Sequence, residues 1–117
     1  MLKQTSSFTH CTCGDGLEVT LHGDIDHHSA VQLRADLDRL LYAERPRCLR
    51  LNLSAVDFMD SSGLGLILGR FNLMQELGGG MVLCAPGARV EKILHLAGLE
   101  RIIAIEPGEK KQTGGSC

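Results

Sequence analysis

The chain has 117 residues, 44% of them apolar, with no Trp, one Tyr, three Phe and a formal charge of −2. That length suits one domain with one core, the apolar fraction excludes a disordered chain, and no apolar run reaches the ~18 residues of a membrane span. The small net charge and scarce aromatics exclude a nucleic-acid or anionic-lipid surface, so neither nucleic acid nor membrane is expected as a partner.

The N-terminal MLKQTSSFTHCTC lacks the apolar stretch of a secretory signal, which points to a cytoplasmic protein. A Gly14-Asp15-Gly16 turn places a first strand over residues about 5–12 and a second beyond it. In that second strand Leu17, Val19 and Leu21 alternate with Glu18, Thr20 and His22, a pattern with one wet face. From Asp26, a capping residue, Ala30, Leu33, Leu37, Leu40 and Leu41 recur at helical spacing until Arg45-Pro46 stops the helix. Leu49, Leu51 and Leu53 alternate again as a strand. Residues 61–77 carry Leu64, Ile67, Leu68, Phe71 and Met74 on one helical stripe, closed by three glycines. A short strand from Met81 to Ala85 follows, then a helix with Val90, Ile93, Leu94 and Ala97 that Gly98 caps, then a strand from Arg101 to Ile105.

Strands alternating with helices imply a two-layer α/β domain, with a mixed, mostly parallel sheet of four to five strands. Two strands alternate in polarity, so the helices should lie mainly on one face and leave the other partly wet. Residues 1–105 form this single domain, and residues 106–117 are a polar tail expected to be flexible.

Five cysteines without a repeated C-x-x-C read as reduced thiols rather than a disulfide framework. His10, Cys11, Cys13 and His22 could meet across a hairpin, but C-x-C in one strand is a weak metal signature, and no metal or cofactor is expected. The adjacent His27-His28 pair points two ways from a helix and cannot easily share an ion.

The stretch DFMDSSGLGLILGR, residues 57–70, leads from a strand end through a polar turn into a helix. Asp60, Ser61 and Ser62 all suit an N-terminal cap. Gly63, Gly65 and Gly69 then fall inside the helix, each costing about 0.5–1 kcal/mol against Ala, which suggests close approach of another surface. Leu66 and Leu73 would add apolar side chains off the core stripe to a flank suited to a partner. A phosphoryl group on the helix start would be favoured by free N–H groups yet add about −1.5 to −2 charges beside Asp60 and Asp26. Neither serine has the glycine flanks of a nucleophile elbow, so no catalytic group is expected.

DFMDSSGLGLILGR, together with GDIDHHSA at 23–30, resembles the anti-sigma factor antagonists of the STAS domain family, over roughly residues 15–105. The GDIDHH block resembles the sporulation branch, which acts on sigma factor F. The resemblance implies a non-enzymatic, partner-switching regulator of transcription. Its unphosphorylated form would bind an anti-sigma factor that is also a serine kinase, releasing the sigma factor. That kinase, holding ATP, would phosphorylate Ser61 to end binding, and a serine phosphatase would reverse it. The contact residues it implies are Asp26, Asp60, Ser61, Ser62, Gly63, Gly65, Leu66 and Gly69. The alternatives are a STAS regulator of another stress-signalling system, or a small thiol or metal protein using Cys11, Cys13 and His22. The family's amphipathic C-terminal helix has no counterpart in the apolar pattern of residues 106–117.

Overall fold

A computed structural model describes residues 7–107. The chain runs β1 (Ser7–Cys13), β2 (Gly16–His22), α1 (His27–Glu44), β3 (Cys48–Ala55), α2 (Ser61–Glu76), β4 (Gly80–Cys84), α3 (Ala88–Leu96), a short 3₁₀ turn (Leu99–Arg101) and β5 (Ala104–Glu106). One five-stranded sheet has the order β1-β2-β3-β4-β5, with β1 antiparallel to β2 and every later neighbour parallel. Parallel neighbours in sequential order, joined by crossovers of one hand, send every helix to the same side. The sheet therefore has a covered face and an open one, as the alternating strands imply.

The covered face supplies Leu17, Val19, Leu21, Leu49, Leu51, Leu53, Met81 and Leu83, all buried in one core with Leu37 and Leu41 of α1, Ile67 and Met74 of α2, and Val90 and Leu94 of α3. The open face carries Glu18, Thr20, His22, Arg50 and Asn52, each half-buried. Glu18, Arg50 and Asn52 interact across strands. Asn52 Nδ2 donates to Glu18 Oε2 at 3.0 Å, and Arg50 lies 2.8 Å from Glu106 and 3.8 Å from Glu18.

Several boundaries differ from expectation, each for a local reason. The last strand spans Ala104–Glu106 instead of 101–105, because Gly98, at φ 77°, turns the chain into the 3₁₀ turn and buries Leu99 first. Glu106 thus belongs to the sheet, and the rest of the expected tail, from residue 108, lies outside the described residues, as do residues 5 and 6 of the expected first strand. On α2, Leu66 and Leu73 are buried whereas Leu64, Leu68 and Phe71 are only half-buried. The helix packs against both the sheet and α1, so its apolar stripe is wider than one face of a surface helix. Cys11, Cys48 and Cys84 are free thiols, but Cys13 is disulfide-bonded, which corrects the expectation of reduced thiols there.

Leu51 sits fully buried on the middle strand. Leu51→Ala should lose about 2–5 kcal/mol, read as a lower midpoint in urea unfolding with little change in slope.

Candidate functional site

Beyond their last paired residues, the chains leaving β2 and β3 stay together for a few more bonds. Gly23 N donates to Ala55 O at 3.1 Å, Ile25 N to Phe58 O at 2.9 Å, and Asp60 N to Ile25 O at 3.2 Å. These close a single parallel bridge between Ile25 and Met59, both buried. The next residue on each strand is an aspartate that caps a helix. The starts of α1 and α2 are thereby held side by side.

Asp26 forms a reciprocal box. Its Oδ1 accepts from Ser29 N at 2.9 Å while Ser29 Oγ accepts from Asp26 N at 3.0 Å. The Ser29 backbone N–H is the main cause that holds the exposed Asp26 carboxyl below its ordinary 3.8. Asp60 Oδ1 accepts from Ser62 N at 2.8 Å, and Asp60 O accepts from Gly63 N at 2.9 Å. Ser61 is the first residue of α2 and is exposed, and its hydroxyl makes no hydrogen bond to another described residue. Ser62 is half-buried behind it.

The three helical glycines divide into two kinds. Gly63 is buried, and a Cβ there would stand 2.6 Å from Met59 Cβ, so glycine is what lets α2 start against the bridge. Gly65 and Gly69 face open space: a Cβ on either would meet nothing within 4 Å. They line a groove of about 410 Å³ between α1 and α2, shared with Ala30, Val31, Arg34 and Arg70. Arg70 is 6% exposed. Its Nε lies 2.9 Å from Asp38 Oδ1, at an angle outside hydrogen-bond geometry, and both Nε and Nη1 are buried without a hydrogen bond.

The structure thus brings Asp26, Asp60, Ser61 and Ser62 to one end of the helix pair and sets Gly65 and Gly69 along the groove that leads from it. Two of the expected contact residues also serve the chain's own packing: Gly63 is buried against Met59, and Leu66, 4% exposed, joins the core while lining the groove. Sequence reasoning passed over Arg34, Val31 and Arg70. Arg34 follows Ala30 by four residues and Arg70 follows Leu66 by four, which sets each one turn beyond an inward-facing side chain.

The expected hairpin of β1 and β2 forms, with Thr9 Oγ1 3.3 Å from His22 Nε2. Among the described residues no group of three or more His, Cys, Asp or Glu stands where it could hold a metal ion. The Cys84 thiol is pushed up to about 11 by burial, which keeps it protonated and unreactive near neutral pH. No helix of the described residues is long and apolar enough to cross a membrane.

The STAS domain model matches residues 9–112. The chain is 38% identical over 93 residues to the anti-sigma F factor antagonist of Paenibacillus polymyxa, covering 80% of each chain. It is 36% identical over 99 residues to the anti-sigma-B factor antagonist of Bacillus subtilis, covering 85% of this chain and 86% of that one. In three dimensions it is similar to the anti-sigma factor antagonist SpoIIAA in its unphosphorylated form, with TM-score 0.72, 28% identity, and 85% and 87% of the two chains covered. The Bacillus cell fate determinant SpoIIAA in the phosphorylated form matches with TM-score 0.65, 27% identity, and 85% and 90% covered.

Two predictions follow from the caps and glycines. Gly65→Ala and Gly69→Ala should each raise stability by about 0.5–1 kcal/mol in chemical unfolding, because helix propensity improves and nothing is displaced, whereas Gly63→Ala should destabilise by forcing Met59 aside. Because the folded Asp26 carboxyl titrates below 3.8, its contribution is present above that value and is lost as pH falls through the depressed one. Asp26→Asn should flatten that segment of an acid-unfolding titration.

Proposed function

The chain belongs to the STAS domain family, and from that membership we propose that it is an anti-sigma factor antagonist, a regulator and not an enzyme. In its unphosphorylated form it binds an anti-sigma factor that is also a serine kinase and so frees the sigma factor, sigma F in sporulation. The kinase, using its bound ATP, transfers a phosphoryl group to Ser61, which ends binding, and a serine phosphatase restores the hydroxyl. The contact surface comprises Asp26, Asp60, Ser61 and Ser62 together with the glycine-floored groove at Gly65 and Gly69.

One observation carries this reading: Ser61 is exposed, its hydroxyl unbonded to other described residues, at the first position of a helix. A hydroxyl already engaged in a cap could not reach a kinase without melting the turn. Here Asp60 does the capping through the Ser62 N–H, at 2.8 Å, so the neighbouring hydroxyl is left over for modification. A phosphate at that position is tolerated by the helix N-terminus while crowding the two capping carboxylates with further negative charge. The similarity to SpoIIAA, solved in both unphosphorylated and phosphorylated forms, supports a switch of the same kind.

A second reading keeps the mechanism and changes the system. The likeness to the anti-sigma-B factor antagonist of Bacillus subtilis is close to the sigma F match in identity and coverage, and it favours a role in a stress response. Which anti-sigma factor co-purifies with the chain separates the two.

Incubation with the cognate kinase and ATP should add one phosphoryl group by intact mass to the wild type and to Ser62→Ala, and none to Ser61→Ala. Ser61→Ala should retain kinase binding and Ser61→Asp should bind poorly. A phosphoryl gain in Ser61→Ala would show the assignment to be wrong.

A further inference from the structure

The groove between α1 and α2 is unusual in its charge as well as in its glycines. Arg70 is 6% exposed, yet among the described residues only one carboxylate, Asp38, pairs with it, and its Nη1 is buried with no hydrogen bond. Burying Nη1 without a hydrogen bond is expensive, because its N–H groups have left water and found no replacement. Burial lowers the Arg70 pKa most, Asp38 opposes this, and the charge of the nearby Arg34 adds to the lowering. Arg34 is exposed on the groove's rim and forms no ion pair with another described residue. One guanidinium thus faces a carboxylate and the other, among the described residues, faces none, and the groove keeps a positive excess within a chain of net charge −2. The rest of its lining is mostly small or apolar, Gly65, Gly69, Ala30, Leu66 and Val31, the last 62% exposed, with His27 and Ser62 at the helix starts.

We propose that this groove is a receptor for an acidic side chain of the anti-sigma factor, whose carboxylate enters over Gly65 and Gly69 and is held by Arg34 and Arg70. The inference rests on the reading of the chain as an anti-sigma factor antagonist and adds the chemistry by which the partner is recognised. A planar guanidinium suits a carboxylate because parallel N–H donors meet its two oxygens. The missing Cβ atoms leave the depth such a side chain needs, and Val31 gives its methylene stem an apolar wall. The same supply of donors explains why glycine is kept at two helical positions where alanine fits the free chain without a clash. The Asp26 and Asp60 caps at the helix starts set a negative zone next to this positive one, so a partner surface of the opposite pattern would be held in one orientation.

The test uses two exposed positions whose replacement leaves the core untouched. Arg34→Glu reverses the rim charge, and Val31→Glu supplies a carboxylate one turn from Arg34 on the same helix, in competition with the incoming one. Binding of the cognate anti-sigma factor kinase to the unphosphorylated wild type and each variant is measured by calorimetry at low and moderate salt, with thermal melts confirming the fold. Both variants should weaken binding by about tenfold or more, Arg34→Lys, which keeps the charge but loses the paired donors, should fall between wild type and Arg34→Glu, and the salt dependence should be shallower in Arg34→Glu. A wild type that binds beside an Arg34→Glu chain that binds equally well overturns the groove assignment and leaves the proposed function standing. A wild type that does not bind the kinase overturns both. Sedimentation showing self-association that Arg34→Glu abolishes would assign the groove to a second copy of the chain and overturn the proposal.

Discussion

Ile25 and Met59 meet in one parallel bridge just beyond the ends of β2 and β3, and the candidate site depends on that contact. The main sheet has ended there, so the bridge is held by few backbone bonds and by the burial of both side chains. Its consequence is geometric. Each strand passes directly from the bridge into a capping aspartate, so α1 and α2 begin at the same level and run onward as neighbours. The exposed serine, the two caps and the groove between the helices inherit their relative positions from this join. Gly63 completes it, since a side chain there would collide with Met59 and lift α2 away.

The glycine content of the chain, 14 of 117 residues, resolves into different physical demands once the site is built. Gly14, Gly78 and Gly98 adopt positive φ at turns and helix ends, where a side chain would be strained. Gly63 and Gly79 are close-approach positions, the latter with Arg47 O and Pro46 O under 3 Å from where a Cβ would sit. Gly65 and Gly69 answer to neither demand. They weaken a helix without relieving strain or contact inside the chain, and a cost retained without an internal return points to an external one.

Much of the fold could be read from the residues because it follows from short-range rules. Leu17, Val19 and Leu21 alternate with polar neighbours since one sheet face is open, and Asp26 and Asp60 announce helix starts by their own hydrogen-bonding capacity. Ser61 stood out locally only as one of three residues suited to a cap, and its singling out came from the family resemblance. What escaped is set by contacts distant in sequence. How far Leu66 is covered depends on where α1 lies, and with α1 beside α2 it is 4% exposed at the groove. An arginine reads as a surface residue until the helix pair encloses it, as Asp38 and α1 enclose Arg70. The last strand moved because Leu99 found the core before the sheet resumed, a competition that periodicity alone does not weigh.

The placement of Ser61 separates what a phosphate would do to the fold from what it would do to the surface. At the first turn of a helix the unpaired N–H groups favour negative charge, so the helix itself gains little reason to open. Its capping bond comes from Asp60 and not from the serine, so modification removes no bond that holds the turn. The surface changes far more. Asp26 and Asp60 already make the end of the helix pair negative, and a further doubly charged group there would dominate the field seen by an approaching protein within a Debye length of ~10 Å. A docking carboxylate aimed at Arg34 and Arg70 would cross that field. Under the proposed function, reversible binding would be governed at one hydroxyl while the bridge, the caps and the core stay as they are. A switch built this way needs no conformational change in the chain that carries it.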